Sequence, residues 1–235
     1  TNCLSSNRTR QQEVLQHQDD DLTLQALRSD AREFGIWLLI GSLALKTVDP
    51  DGRFANRSFL INPKGEIAGW YDKIHMFDVQ VSETETYRES DGYRPGNRAV
   101  CAPTPFGTVG MTVCYDVRFP YLHRALAKAG ATILTAPAAF SQVTGAAHWH
   151  ALLRARAIET GCYVLAPAQT GSHDTHNGQP RRTYGHSLAV SPWGEVLVDA
   201  GTEACVTFVD LDTKAVIEAR RKVPSLTHDR KFDGP

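Results

Sequence analysis

The stretch TVGMTVCYDVRFPYLHRALAKAGATILTAP, residues 108–137, decides the fold class. Thr108 to Val113 alternates as a strand does and ends at Cys114. Pro120 then opens a helix running to about Lys128, because a fixed φ and a missing N–H cost nothing in a first helical turn, and Gly130 stops it. Ala131 to Ala136 is again apolar and β-branched, so the unit reads strand, helix, strand.

Downstream, Trp149 to Thr160 reads as a helix with Trp149, Leu152, Leu153 and Ala157 spaced for burial, and Gly161 ends it before a strand from Cys162 to Ala166. Upstream, Asp20 and Asp21 precede a helix over Leu22 to Phe34, capped by Gly35, and Ile36 to Lys46 follows as a strand. Ser58 to Asn62, the turn Pro63-Lys64-Gly65 and Glu66 to Lys73 form a hairpin, followed by a loop from Phe77 to Arg98. A second hairpin spans Ser187 to Asp199 around Pro192-Trp193-Gly194. A strand over Cys205 to Asp210, a helix from Asp212 or Thr213 and a polar tail from Ser225 complete the chain.

The hairpins SFLINPKGEI (58–67) and SLAVSPWGEV (187–196) share Ser, Pro, Gly and Glu at matched positions. Two similar halves whose sheets face each other explain this, and so does shared turn chemistry. Mixed strands and helices predict an α/β layered sandwich, with a parallel barrel as the weaker alternative.

The chain has 235 residues, within the range of one domain, and its 42% apolar content fills a substantial core. Twenty-five Lys plus Arg against 26 Asp plus Glu leave a formal charge of -1, which argues against nucleic acid or an acidic membrane and for a small-molecule partner. The five cysteines, Cys3, Cys101, Cys114, Cys162 and Cys205, are widely spaced without a CxxC pair, as expected of a reducing, cytoplasmic setting. The apolar run from Ile36 to Leu45 is far below the roughly 20 residues that span a bilayer. Thr1 to Asp20 is polar and has no apolar signal-peptide core, and the chain does not begin with Met, so a processed, trimmed or partial product is expected.

Cys114 closes an apolar strand just before a tight turn into a helix, where a nucleophile projects and backbone N–H groups face it. A lone cysteine in such a strand is more often a small core hydrophobe, but the polar run Tyr115-Asp116-x-Arg118 directly after it favours chemistry. Lys73, at the end of its hairpin strand among aromatic neighbours, is suited to hold an oxyanion only in the company of Cys114. Glu89 lies in a Gly- and Pro-containing loop as an acid, base or orienting carboxylate. Asp116 and Arg118 are expected to pair and shape the turn. Among nine histidines, His148 with His150 and His173 with His176 lack ligand spacing, so no metal is assigned, and His186 reads as a hydrogen-bonded structural residue. Arg181 and Arg182 are candidates for a substrate carboxylate.

Together YDKIHMFDV, VCYDVRFP and RESDGYRPG resemble the lysine, cysteine and auxiliary-glutamate motifs of the nitrilase superfamily, placing its functional residues at Lys73, Cys114 and Glu89. TGAAHWHALLRARAIETGCYVLAPAQ and YGHSLAVSPWGEV are most similar to its amidase branch, although His150 stands where an acidic residue is expected. The resemblance implies a four-layer αββα sandwich, assembly into homodimers or higher oligomers, and no metal or organic cofactor. It implies amide hydrolysis through a cysteine thioester, with Tyr115, Phe140 and Trp149 at the substrate. The implied substrate is deaminated glutathione or a related ω-amide bearing a carboxylate, with N-carbamoyl amino acids as the alternative. The family's base glutamate precedes a segment like Thr1-Asn2-Cys3-Leu4, and no residue here matches it, which implies a chain lacking a first strand, helix and strand. A catalytically silent scaffold is the reading of another class.

Overall fold

The computed structural model describes residues 8–81, 83, 86–173 and 180–234. The segment Thr1 to Leu4, with Cys3, and His176 lie outside the described residues.

Three antiparallel strands, β1 (Leu38–Leu45), β2 (Ala55–Ile61) and β3 (Ile67–Asp72), form a small sheet in that order. Helix α1 (Arg8–Val14) precedes α2 (Leu22–Glu33), which Asp21 caps by accepting from the Leu24 N–H at 2.8 Å. Leu24 and Ala31 of α2 pack on Ile40, Phe59 and Ile61, covering one face of that sheet.

Six strands form the second sheet. They are β6 (Val100–Thr104), β7 (Gly107–Met111), β8 (Ile133–Thr135), β9 (Tyr163–Ala166), β12 (Leu188–Val190) and β13 (Val196–Asp199), in spatial order β13-β12-β9-β8-β7-β6. The three central strands run parallel, joined through α3 (Pro120–Lys128) and α4 (Gln142–Thr160), as the strand-helix-strand reading of residues 108–137 requires. Leu60 and Tyr71 from the small sheet share one core with Met111, Val113, Leu126, Leu134 and Trp149. The sheets therefore face each other, with α2 outside one and α3 and α4 outside the other. Each fully buried Leu or Met in that core contributes about 1.5–3 kcal/mol. Helix α5 (Thr213–Lys222) lays Val216 on Ile133 and Tyr163.

The two similar hairpins take one loop geometry. Asn62 N–H donates to Glu66 C=O at 2.9 Å and Ser191 N–H to Glu195 C=O at 2.8 Å. Gly65 and Gly194 occupy matching left-handed positions, at φ 75° and 89°. One hairpin belongs to each sheet.

Three expectations need correction, and one strand had no counterpart in the sequence reading. Cys205 to Asp210 is not a strand: no strand lies beside it among the described residues, and Val206 and Phe208 are 82% and 90% exposed. Residues 77–98 are not all loop, since β4 (Asp78–Gln80) and β5 (Thr86–Arg88) pair there and Glu89–Asp91 forms a 3-10 turn. Strand β6 went unread because it carries Pro103, which an edge strand accommodates without losing a ladder bond. Helix α4 begins at Gln142, seven residues before Trp149, because the Ser141 hydroxyl accepts from Thr144 N–H at 3.3 Å. Gly145 in its first turns lets Tyr184 approach to where a Cβ would meet its ring at 2.4 Å. Tyr184 lies on a further ribbon of β10 (Thr170–His173) and β11 (Arg181–Tyr184).

His123 on α3 is 1% exposed, and its Nδ1 lies 3.1 Å from Phe119 C=O. Burial, only partly offset by that carbonyl, pushes its pKa down from 6.5 to about 4. The folded state therefore holds His123 neutral while the unfolded chain takes up a proton below pH 6.5. Its stability contribution is intact above pH 6.5 and lost as pH falls toward 4. Urea melts of wild type and His123→Leu at pH 7 and pH 4 should show wild type losing roughly 3 kcal/mol more than the variant. Equal losses would contradict the assignment.

Candidate active site

Cys114 follows β7 at φ 52°, a left-handed conformation that costs a side-chain-bearing residue about 1–2 kcal/mol, and it opens the 3-10 turn Cys114–Arg118. Two bonds hold this elbow: Cys114 N–H donates to Pro137 C=O at 2.9 Å, and Val113 N–H to Asp116 Oδ2 at 2.8 Å. Cys114 and His186 are the non-glycine residues at positive φ among those described, and strain of this kind gathers at functional sites. Cys114 is buried at 8% exposure.

Lys73 follows β3 and is 3% exposed. Its backbone is pinned on both sides, N–H to Asn56 C=O at 2.9 Å and C=O from Gly96 N–H at 2.8 Å. Its ammonium pairs with Glu89 Oε2. That oxygen also accepts from Phe77 N–H at 2.7 Å, and Oε1 accepts from Asn56 Nδ2 at 3.1 Å. Three donors on two oxygens suit a fixed anion that orients the lysine.

The link between the lysine strand and the cysteine elbow is Asp116, fully buried two residues past Cys114. Its carboxylate accepts from Tyr71 OH at 2.8 Å and from His75 N–H at 3.1 Å, with His75 Nδ1 at 2.7 Å. Tyr71 and His75 flank Lys73 at two residues either side, so both neighbours of the lysine are tied to the turn that carries the cysteine. Burial, then the Asp116 charge, push the Tyr71 phenol well above its ordinary range, which keeps it a donor. The His75 ring stacks on Phe119 at 3.5 Å, and Phe77 meets Tyr115 edge to face at 5.0 Å.

The expected Asp116–Arg118 pair does not form, because Asp116 turns inward to these donors. Arg118 instead places its guanidinium 5.3 Å from the Phe140 ring and 5.8 Å from Tyr115, with His148 Nδ1 at 3.3 Å. Burial lowers its pKa, opposed by Tyr115 and Cys114. Phe140 rests on Trp149 at 4.8 Å, and Trp149, fully buried, donates from Nε1 to His186 C=O at 2.8 Å. Trp149 thus backs Phe140. Arg181 Nη2 donates to Ala139 C=O at 2.8 Å and lies over Tyr87 at 5.5 Å, while its buried Nε has no hydrogen-bond partner among the described residues.

Reading the sequence missed Tyr71, His75, Asn56 and the anchoring role of Asp116. For the first two a signal existed: Tyr71, Lys73 and His75 alternate at period two, which puts them on one side of an extended chain.

The family model described as carbon-nitrogen hydrolase matches residues 3–221. The chain belongs to the carbon-nitrogen hydrolase family. This hydrolase is 44% identical over 216 residues to deaminated glutathione amidase of Yersinia enterocolitica, covering 92% of this chain and 74% of that protein. It is 42% identical over 205 residues to the human protein of that name, covering 85% and 61%. Among solved structures, Nit3 of Saccharomyces cerevisiae, a member of branch 10 of the nitrilase superfamily, aligns at TM-score 0.81 and 29% identity over 97% of this chain and 79% of its own. The NitFhit protein of C. elegans aligns at 0.80 and 37% over 90% and 50%. This hydrolase is an amidase of the nitrilase superfamily, with the α/β fold of those neighbours.

Proposed function

We propose that Cys114 is the nucleophile, Lys73 its oxyanion-binding partner and Glu89 the group that orients Lys73. The observation that carries this reading is the strained Cys114 elbow tied through Asp116 to both neighbours of Lys73. Cys114 Sγ gives its proton to a base carboxylate and bonds to the amide carbon. The carbonyl oxygen takes the electron pair and is held by the Lys73 ammonium and the Tyr115 N–H. The C–N bond breaks, the nitrogen leaves as ammonia with that proton, and water then cleaves the thioester, restoring the thiol and releasing the acid.

The substrate is a small amide bearing a carboxylate, of the deaminated glutathione or ω-amide type. The names of the relatives support this, and so do two guanidiniums in this region, Arg118 over the Phe140 ring and Arg181 on the neighbouring Ala139 C=O. Phe140 and Tyr115 line the substrate and Trp149 supports the wall. Residues 1–235 act as one domain, as a homodimer or higher homo-oligomer in a reducing, cytoplasmic setting.

Turnover should be measured on deaminated glutathione, ω-amides and N-carbamoyl amino acids, and hydrolysis confined to the carbamoyl compounds would overturn the substrate. If Arg181 reads the carboxylate, Arg181→Met raises KM about tenfold or more with kcat largely kept, as expected for a charged hydrogen bond of about 1.5–3 kcal/mol. An unchanged KM for carboxylate-bearing amides would remove Arg181 from the site.

A further inference from the structure

Away from Cys114, the fold gathers three side chains that lie far apart in sequence. His150 comes from the middle of α4, His186 from the connection between β11 and β12, and Asp199 from the end of β13. One ligand atom from each lies within 4.8 Å of the other two. His150 Nε2 is 3.0 Å from Asp199 Oδ2, and His186 Nδ1 is 2.9 Å from Asp199 Oδ1.

The surroundings hold these groups in place. His186 is kept at φ 55°, unusual for a residue with a side chain, by its N–H on Gly201 C=O at 2.6 Å and by Trp149 Nε1 on its own C=O. Its ring stacks on Tyr184 at 4.4 Å. Asp199 Oδ1 also accepts from Gly201 N–H at 2.9 Å. The two Asp199 oxygens are thus fixed by His150, His186 and the Gly201 N–H together. The other side of the cluster opens to water, with side chains 24–35% exposed.

We propose that His150, His186 and Asp199 form a binding site for a divalent transition metal of the zinc, cobalt or nickel class. Two imidazole nitrogens and one carboxylate oxygen are the donor set those ions take, whereas magnesium and calcium prefer oxygen alone. Ligand atoms about 3.3 Å apart surround a tetrahedral ion with bonds of about 2.0–2.1 Å, so a small ring movement seats it, with water completing the shell. To take an ion, each ring must present a lone pair on the nitrogen that faces Asp199. The proton of each ring then sits on its other nitrogen. The bound ion fastens α4 to the β12–β13 hairpin.

The test is titration of the whole chain with cobalt(II) alone, read by visible absorption and by melting temperature, in wild type and His150→Gln. The glutamine amide keeps a hydrogen bond to Asp199 but cannot replace the imidazole, and Asp199→Asn provides a second variant should the first fail to fold. One equivalent of cobalt is expected to give ligand-field bands without a thiolate charge-transfer band and to raise the melting temperature. Affinity should fall at least tenfold in either variant. Absence of binding, binding unchanged in folded variants, or a thiolate band reporting Cys114 or Cys205 would each overturn the proposal.

Discussion

Replacing Cys114 by Ala should lower amide turnover on the order of 10^4-fold or more while the protein remains folded. The size of the effect follows from the chemistry, because no other step forms the bond to the amide carbon once the sulfur is gone. The fold should survive because the elbow is held by backbone and Asp116 bonds that do not involve Sγ. Alanine at this position keeps the left-handed strain at φ 52° and glycine releases it. Cys114→Gly should therefore be about 1 kcal/mol more stable than Cys114→Ala and equally inactive, as urea melts and a turnover assay would show. If the glycine variant were the less stable of the two, the conformation would not be a strained one.

Asp116→Ala has the next largest expected effect. It removes a fully buried carboxylate that satisfies Tyr71 OH, Val113 N–H and the His75 backbone and ring donors, and leaves those of the buried Tyr71 and Val113 without that acceptor. The loss should be about 3–5 kcal/mol, the range for breaking one side of a buried charged network. Asp116→Asn preserves the shape and part of the bonding, so it should stay folded and isolate the functional effect. On the proposed role, in which Asp116 positions Lys73 against Cys114 without touching substrate, its kcat should fall much further than KM rises. A variant that lost stability but kept its kcat would reduce Asp116 to a structural role.

The residues that disclosed the fold are those whose local chemistry and burial agree. In residues 107–137 the alternation into Cys114, the proline at the first helical position and Gly130 all match the observed β7, α3 and β8. Cys205 to Asp210 has the same strand-like alternation, yet a strand exists only where another lies beside it, and none of the described residues supplies one. Edge strand β6 was concealed by Pro103, and the start of α4 by a glycine retained for the approach of Tyr184. Of the proposed site residues, Cys114, Lys73 and Glu89 were singled out as residue types beside turns, and the structure pairs Lys73 with Glu89. Asp116 misled because a neighbouring Arg118 offers an obvious ion pair in sequence, whereas its true partners, Tyr71 and His75, are more than 40 residues away. The His150, His186 and Asp199 cluster was unreadable for the same reason: its spacing exists only once α4 and the β12–β13 hairpin have packed.

The most direct test of the account is to mix the protein with a carboxylate-bearing amide substrate, quench in acid within the first turnover and map the covalent acyl group by peptide mass spectrometry. The account predicts an acyl adduct on the peptide containing Cys114, absent from Cys114→Ala. An adduct on any other residue, or substrate hydrolysis by Cys114→Ala at the wild-type rate, would contradict it.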